Sequence, residues 1–451
     1  MTRVLLVLVL TGFISGWLLT GCSPKDKIDN PGSITMIGEI VDFSEVGIYT
    51  KTTSQSLFVK GAAMKSDIVV TVSGDFEIAL DDTIYLEKIT IPAPLADKST
   101  TIHIRCAPAR LGNINGILRI ESGQITQKSY SLKATGVKVL KTVSTFISVR
   151  HAWGGGFSQT NSGVFNFPSK PQNIEKIIMF IKLACPLGGC NGWDVYANIR
   201  VKDTITGKWL EIGRYITPYG VSNSQIPKGF MIDVTDFKAL LTGKVNLRSF
   251  IEAWGVDGWL LTVNFEITEG IPDFKYYAVS EIIQYNSNSL EGIPYGEPNN
   301  FVMDKIIKVP ATSEKTILRT VITGWGHATP SDPDGRPCAE WCFRSHKILI
   351  NGVPTFTHLM NGIGCGANPV NPQNGNWEPD RAGWCPGMEV PVRTDELDGS
   401  LAGNSFTWKY QLVNWTNDFK STADNIHAYY AISSFVIAKS NAPFTALPVV
   451  N

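Results

Sequence analysis

The chain has 451 residues, 43% of them hydrophobic, with 40 basic and 40 acidic side chains. That is enough apolar material to bury a core, and the length indicates two or three domains. A formal net charge of zero, with no basic run, excludes the electrostatic footprint of a nucleic-acid binder.

Arg3 precedes an apolar run from Val4 to Leu19, slightly short for a membrane-spanning helix and suited to a signal-peptide core. Leu19-Thr20-Gly21-Cys22 then fits a lipoprotein cleavage box. The expectation is a signal peptide over 1–21, a lipid on Cys22 and a polar tether over 22–30. Several acyl chains on one cysteine make a stable anchor. The protein is then an exported bacterial lipoprotein of the outer membrane, cell surface or periplasm, touching the membrane only through the Cys22 lipid. Export favours disulfides. Cys106 stands alone and reads as a buried thiol. Six others fall into near-neighbour pairs: Cys185 with Cys190, Cys338 with Cys342, Cys365 with Cys385. A zinc cluster would need reduced thiolates, and these spacings do not repeat a two-residue knuckle.

From Gly38 to about Val139, short alternating runs such as "DIVVTVSG", "TTIHIRC" and "GILRIES" recur between turn residues. This spacing predicts an Ig-like β-sandwich over 31–140, without acids, histidines or tryptophans clustered for catalysis. After "KVLKTVSTF" come longer runs, "KIIMFIKLA", "YANIRVKD" and "WLLTVNFEI", with a short helix predicted at Thr235–Leu241 before Gly243. "EGIPDFKYY" reads as a link. A last region carries "KTILRTVITGWG", "FTWKYQLVNW" and "AYYAISSFVIAKS". The fold class is therefore all-β, with two antiparallel sandwiches, over 147–270 and 275–451, following the Ig-like one.

Carboxylates recur beside tryptophans. In "CAEWC", an extended strand would hold Cys338 and Cys342 roughly 13 Å apart, beyond the roughly 7 Å that a disulfide spans. If the two are joined, the segment is a tight bend with Glu340 near its apex. So small a ring adds little global stability, but it aims one carboxylate. Trp193-Asp194 follows the Cys185/Cys190 pair directly, and Glu252 and Trp254 share one side of a strand. Trp325 and His327 in "GWGH", Trp341, and Arg381 and Trp384 in "DRAGWC" add aromatics and a cation. The residues alone leave two readings open: core tryptophans with solvated neighbours, or a carbohydrate site where rings stack on sugars and acids move protons. Neither a GxSxG elbow nor an HExxH motif is present.

"CPLGGCNGWDVYANIRVKDTITGKWLEIGRYITPY", "IDVTDFKALLTG", "GWGHATPSDPDGRPCAEWCFRSH" and "NWEPDRAGWCPGM" closely resemble the peptide:N-glycosidase F family over about residues 147–451. The resemblance implies two adjacent eight-stranded jelly rolls with a cleft between them. It implies the bridges Cys185–Cys190, Cys338–Cys342 and Cys365–Cys385, and no metal or cofactor. It implies hydrolysis of the amide between asparagine and the innermost GlcNAc of an N-glycan, leaving aspartate, on N-glycosylated peptides and glycoproteins, by a monomer. Asp194 is then the primary catalytic acid, with Glu340 acting through water and Glu252 as a third acid. Trp254, Trp325 and Arg381 line the chitobiose cleft, and Trp193, Trp341, Trp384 and His327 are further candidate substrate contacts. The rival classes are an endo-acting glycoside hydrolase, also built on two carboxylates, and a non-catalytic glycan-binding lectin. The chain departs from the short family form, "DEWDRYAN", at "NGWDVYAN", where Gly192 and Val195 replace long charged side chains. The lost bulk predicts tolerance of a core α1,3-fucose.

Overall fold

Apolar alternation sets the strands, and its breakdown marks where sheets are covered twice. Strand 112–122 alternates buried and exposed positions along most of its length, as a sheet with one wet face requires. Strand 429–440 is buried at every position, and 315–325 at all but its ends. Such strands have a sandwich core on one face and a second layer of protein on the other.

The computed structural model describes residues 32–123, 125–285, 293–294, 303–328, 331–413 and 428–451. The expected signal peptide over 1–21, Cys22 and the expected tether over 22–30 lie outside the described residues. The chain divides into two compact units. One is the chain up to Phe43 with Thr52–Cys106 and Asn115–Lys133. Its strands form two sheets, one ordered 33–37, 55–62, 100–106, 76–79, the other including 112–122, 68–72 and 88–91. Cys106 is a buried thiol outside the three disulfides.

The second unit contains two jelly rolls. In the first, strands 139–144, 259–269, 174–184 and 230–233 are neighbours in one sheet, and 160–166, 244–251, 196–202 and 209–216 in the other. In the second, the orders are 276–285, 429–440, 315–325, 393–396 and 304–308, 405–411, 344–350, 353–360. Lettering the eight principal strands of each from B to I, both follow B-I-D-G and C-H-E-F, the double Greek key of a jelly roll. Strand 139–144 pairs with 264–269, so the first jelly roll begins at Val139 rather than at 147.

Sheet 196–202/209–216 of the first jelly roll packs on the 429–440/315–325 sheet of the second. Glu211 and Arg214, both buried, form a bidentate pair at 2.8 and 2.9 Å. Arg214 also donates to the Thr323 hydroxyl and the Ala431 carbonyl, and Ser433 donates to Glu211. These bonds cross from one sandwich to the other, and removing one ion of such a pair costs about 3–5 kcal/mol. Strand 388–389, from the second half of the sequence, adds to the edge of the first jelly roll beside Tyr215 and Ile216.

The helix predicted at Thr235–Leu241 is only a 3₁₀ turn, Thr235–Phe237. The Asp233 carboxylate accepts from the Thr235 N–H, the Thr235 hydroxyl accepts from Ile177 N–H, and Phe237 is fixed edge-on to Phe435. The chain turns once more after it, with the Leu240 and Leu241 N–H groups both bonded to the Phe237 carbonyl, but does not go on as a regular helix.

Candidate active site

Three loops at the end of the paired jelly rolls bring the acids together. The first runs from the Cys185–Cys190 disulfide to strand 196–202. Buried Asn191 accepts from Trp193 N–H and donates to the Trp254 carbonyl. The Thr217 hydroxyl accepts from Val195 N–H and donates to the Trp193 carbonyl. The backbone is thus pinned on both sides of Asp194, and its carboxyl direction is set.

The second loop is the Cys338–Cys342 ring, with a Cα–Cα distance of 4.8 Å. Glu340 N–H bonds to the Gly326 carbonyl, and its own carbonyl accepts from Ala382 N–H. The third loop, clipped by Cys365–Cys385, carries Arg381. Arg381 is fully buried, its guanidinium stacked 4.2 Å from the Trp341 ring. It donates to the carbonyls of Pro379 and Asn376 and to the Tyr219 hydroxyl.

Both carboxylates converge on that guanidinium. Nη2 lies 3.6 Å from Asp194 Oδ2, and Nε lies 3.6 Å from Glu340 Oε1. These contacts are too long for hydrogen bonds, and Asp194 Oδ2 and Arg381 Nε are buried without a hydrogen-bond partner. Buried polar atoms are ordinarily paired, so this slack is a place for a substrate atom or water to complete. Burial, reinforced by the negative charge of Glu340, lifts Asp194 to about 7, against the pull of Arg381 and a Tyr219 hydrogen bond. Burial also raises Tyr219, with Asp194 adding to the effect. Glu252 is only 6% exposed, and burial alone pushes it up to about 8. Its N–H bonds to the Tyr196 carbonyl, one residue past the end of strand 244–251.

The indole N–H of Trp341 donates to His327 Nε2 at 2.8 Å, and that nitrogen is also 3.4 Å from Glu340 Oε2. Glu340 holds the imidazole above its ordinary pKa, against partial burial. Nε2 accepts the indole bond only in the neutral ring, so protonation exchanges the tryptophan for the glutamate. Trp193 and Trp254 are open to solvent, and Trp325 is half-buried on the Trp384 ring, 4.6 Å away. Trp384 corrects the expectation of a substrate contact. It is fully buried, its N–H bonded to the Gly324 carbonyl, and it floors the site beneath Trp325 and Arg381. Val195 also differs from expectation: its side chain lies in the first jelly-roll core, facing away from Asp194. Gly192 remains as the source of space, since a Cβ added there meets nothing within 4 Å. Tyr219 and Thr217 stand far from any acid–tryptophan pair in the sequence, and Asn191, two residues before Trp193-Asp194, carries no chemistry of its own to mark it. Among the described residues, the one cluster with metal-ligand spacing is Cys365, Asp380 and Cys385. Its thiols are joined in a disulfide and Asp380 caps Gly364 and Cys365 N–H groups, so it is a structural clip.

The family model for the C-terminal part of peptide-N-glycosidase F matches residues 299–437. Peptide-N(4)-(N-acetyl-beta-D-glucosaminyl)asparagine amidase F of Elizabethkingia miricola is 49% identical over 330 residues, spanning 72% of this chain and 92% of its own. The chain belongs to the peptide-N-glycosidase F family. The solved structure of PNGase F from Flavobacterium meningosepticum, a glycosylasparaginase, superposes with a TM-score of 0.67 at 50% identity, over 69% of this chain and 99% of that one. PNGF-II, at 12% identity and a TM-score of 0.52 over 88% of this chain and 85% of its own, shares the fold. Against this peptide-N-glycosidase F background, the three clipped loops are the part of the jelly-roll pair where chemistry-bearing side chains meet.

Proposed function

We propose that this protein hydrolyses the amide between an asparagine side chain and the innermost GlcNAc of N-glycosylated peptides and glycoproteins. The observation that carries the reading is the meeting of Asp194 and Glu340 at one buried guanidinium, beside tryptophans open to solvent. Amide hydrolysis requires a proton taken from attacking water and a proton given to the leaving nitrogen. An acid poised near neutrality can serve in either direction, and like-charged neighbours with separated pKa values divide the two tasks. Around neutrality, Asp194 holds a proton against the charge of Glu340. Water adds to the carbonyl carbon and yields a proton to the Glu340 carboxylate, the C–N bond breaks, the proton held by Asp194 goes to the leaving nitrogen, and return of the proton from Glu340 to Asp194 restores the site. Arg381, fixed by Tyr219 and two carbonyls, keeps the carboxylates in place and offsets their charge. The open faces of Trp193 and Trp254 provide stacking surfaces for the chitobiose.

A lectin would need the tryptophans but not a buried Asp194 and Glu252 whose carboxyls burial raises to about 7 and about 8. A glycoside hydrolase would cut between sugars. One experiment separates the classes. Digestion of a glycopeptide in water labelled with heavy oxygen should give the intact glycan and an aspartate bearing the label. A peptide retaining one GlcNAc would identify an endoglycosidase, and an unchanged peptide a binding protein. Asp194→Asn should abolish release. The finer reading includes a monomer anchored by a Cys22 lipid, supported by the "LTGC" box, and acceptance of core α1,3-fucose in the space at Gly192. In the same assay, a fucosylated glycopeptide should be cleaved by the parent and resisted by Gly192→Glu, with its defucosylated twin cleaved by both.

A further inference from the structure

The rim of the first jelly roll carries exposed apolar side chains that the chemistry described above does not use. The loop after strand 149–151 contains Gly154, Gly155 and Gly156, with φ of +82°, +63° and +81°. Side chains disfavour that region, and three glycines in succession let the loop turn back at Phe157. The loop is tied down at its root. Trp153 N–H bonds to the Gly255 carbonyl and Arg150 to the Val256 carbonyl, both at 2.7 Å. Loop 254–257 is tied in turn to Asn191, next to the Cys185–Cys190 turn. Three cross-bonded loops thus present apolar side chains to solvent. Trp153 is 63% exposed, Val256 50%, and Leu187, at the tip of the disulfide turn, entirely so. Val256 follows Trp254 by two residues, and Asn191, which bonds the Trp254 carbonyl, precedes Trp193 by two, so the loops adjoin both tryptophans. Apolar side chains grouped on a fixed surface mark a contact site.

We propose that this rim seats the polypeptide on either side of the glycosylated asparagine and reads apolar side chains at the flanking positions. The inference rests on the amidase reading above. The scissile amide must reach Asp194, so the peptide carrying it passes Trp193 and Trp254. An extended chain covers about 3.3 Å per residue, so residues a few positions from the asparagine come level with the neighbouring loops. The chemistry of the rim favours peptide over outer sugars. Stacking on a sugar needs a free aromatic face, and one face of Phe157 is covered by the Arg150 guanidinium at 4.1 Å. Leu187 and Val256 have no such face. Aliphatic knobs beside one open indole suit leucine or phenylalanine side chains.

The test uses the full-length protein and three substrates with the same glycan. One is a glycopeptide with leucine and phenylalanine flanking the asparagine, one has serine and glycine there, and one is the glycosylated asparagine with both ends capped. The parent should show a kcat/KM about tenfold higher for the apolar peptide than for the polar one, the scale of burying one apolar side chain. Trp153→Ser with Val256→Ser should remove that preference and leave cleavage of the capped asparagine at the parent rate. A parent indifferent to the flanks, or a preference surviving in the variant, overturns the proposal. So does a variant equally slow on all three substrates but normal on a glycan trimmed to chitobiose, which would assign the rim to outer sugars. If the parent cleaves none of the three, the amidase reading itself fails.

Discussion

Asp194 and Glu252 are carboxyls placed where ionisation is costly. Burial leads the upward shift of both, to about 7 and about 8. For a carboxyl raised above its unfolded value, the folded state holds the proton longer than the unfolded one. Its contribution to stability is therefore full at acid pH, below the unfolded value, and is lost as pH rises through the folded value. Replacing Glu252 with Gln should leave urea stability near pH 4 unchanged and raise it above pH 8, by an amount on the order of a few kcal/mol. Asp194→Asn should behave the same way, with the gain beginning as pH rises above about 4 and complete near pH 7. Denaturation midpoints of the parent and both variants across pH measure this directly, and equal midpoints at every pH would contradict the burial of these groups. The residue scale was also where the sequence was least legible. The acid–tryptophan neighbours pointed to Asp194 and Glu340, which the fold brings to one guanidinium. Trp384 could not be told from Trp193 by that signal. Both stand near a clipped cysteine, yet one is the floor of the site and the other its open rim.

Among the elements, the disulfides divide by loop length. Cys338–Cys342 and Cys185–Cys190 close rings with separations of only 4 and 5 residues, whereas Cys365–Cys385 spans 20. Restriction of the unfolded chain grows with loop length, and the longest ring is worth about 3 kcal/mol on that account. Cys365→Ser with Cys385→Ser should therefore lower Tm clearly and loosen the loop that carries Arg381. Cys338→Ser with Cys342→Ser should lower Tm less, by the loss of about 2 kcal/mol on the same account, but sharply lower kcat, because Glu340 loses its direction. Differential scanning calorimetry beside a glycopeptide assay gives both readings, and a large Tm loss in the second variant would show that the small ring is not merely local. The strands themselves were legible, since period-two burial and continuous burial both leave marks in sequence. The helix at Thr235–Leu241 was not, because the bonds of Thr235 to Ile177 and the seat of Phe237 against Phe435 come from distant parts of the chain.

At the scale of the whole molecule, the catalytic unit starts earlier than composition indicated, because strand 139–144 is an integral strand of the first jelly roll. A truncation beginning at Gly136 should keep that strand and cleave a capped glycopeptide. One beginning at Val143 should fold poorly, losing the edge that covers strand 259–269. Circular dichroism and activity of the two fragments decide the point, and equal behaviour would make the strand dispensable. Strand 388–389 has a different consequence, one that concerns synthesis. It completes the edge of a sheet whose other strands all precede residue 252, and strand 429–440, central in the second jelly roll, comes later still. A ribosome that has released the first jelly roll has produced a sheet with an open edge and no Arg381 for its aspartate. Open edges invite pairing with other chains, so the nascent protein depends on reaching its last strands. The same order means that no chain shorter than 381 residues holds Asp194, Glu340 and Arg381 together.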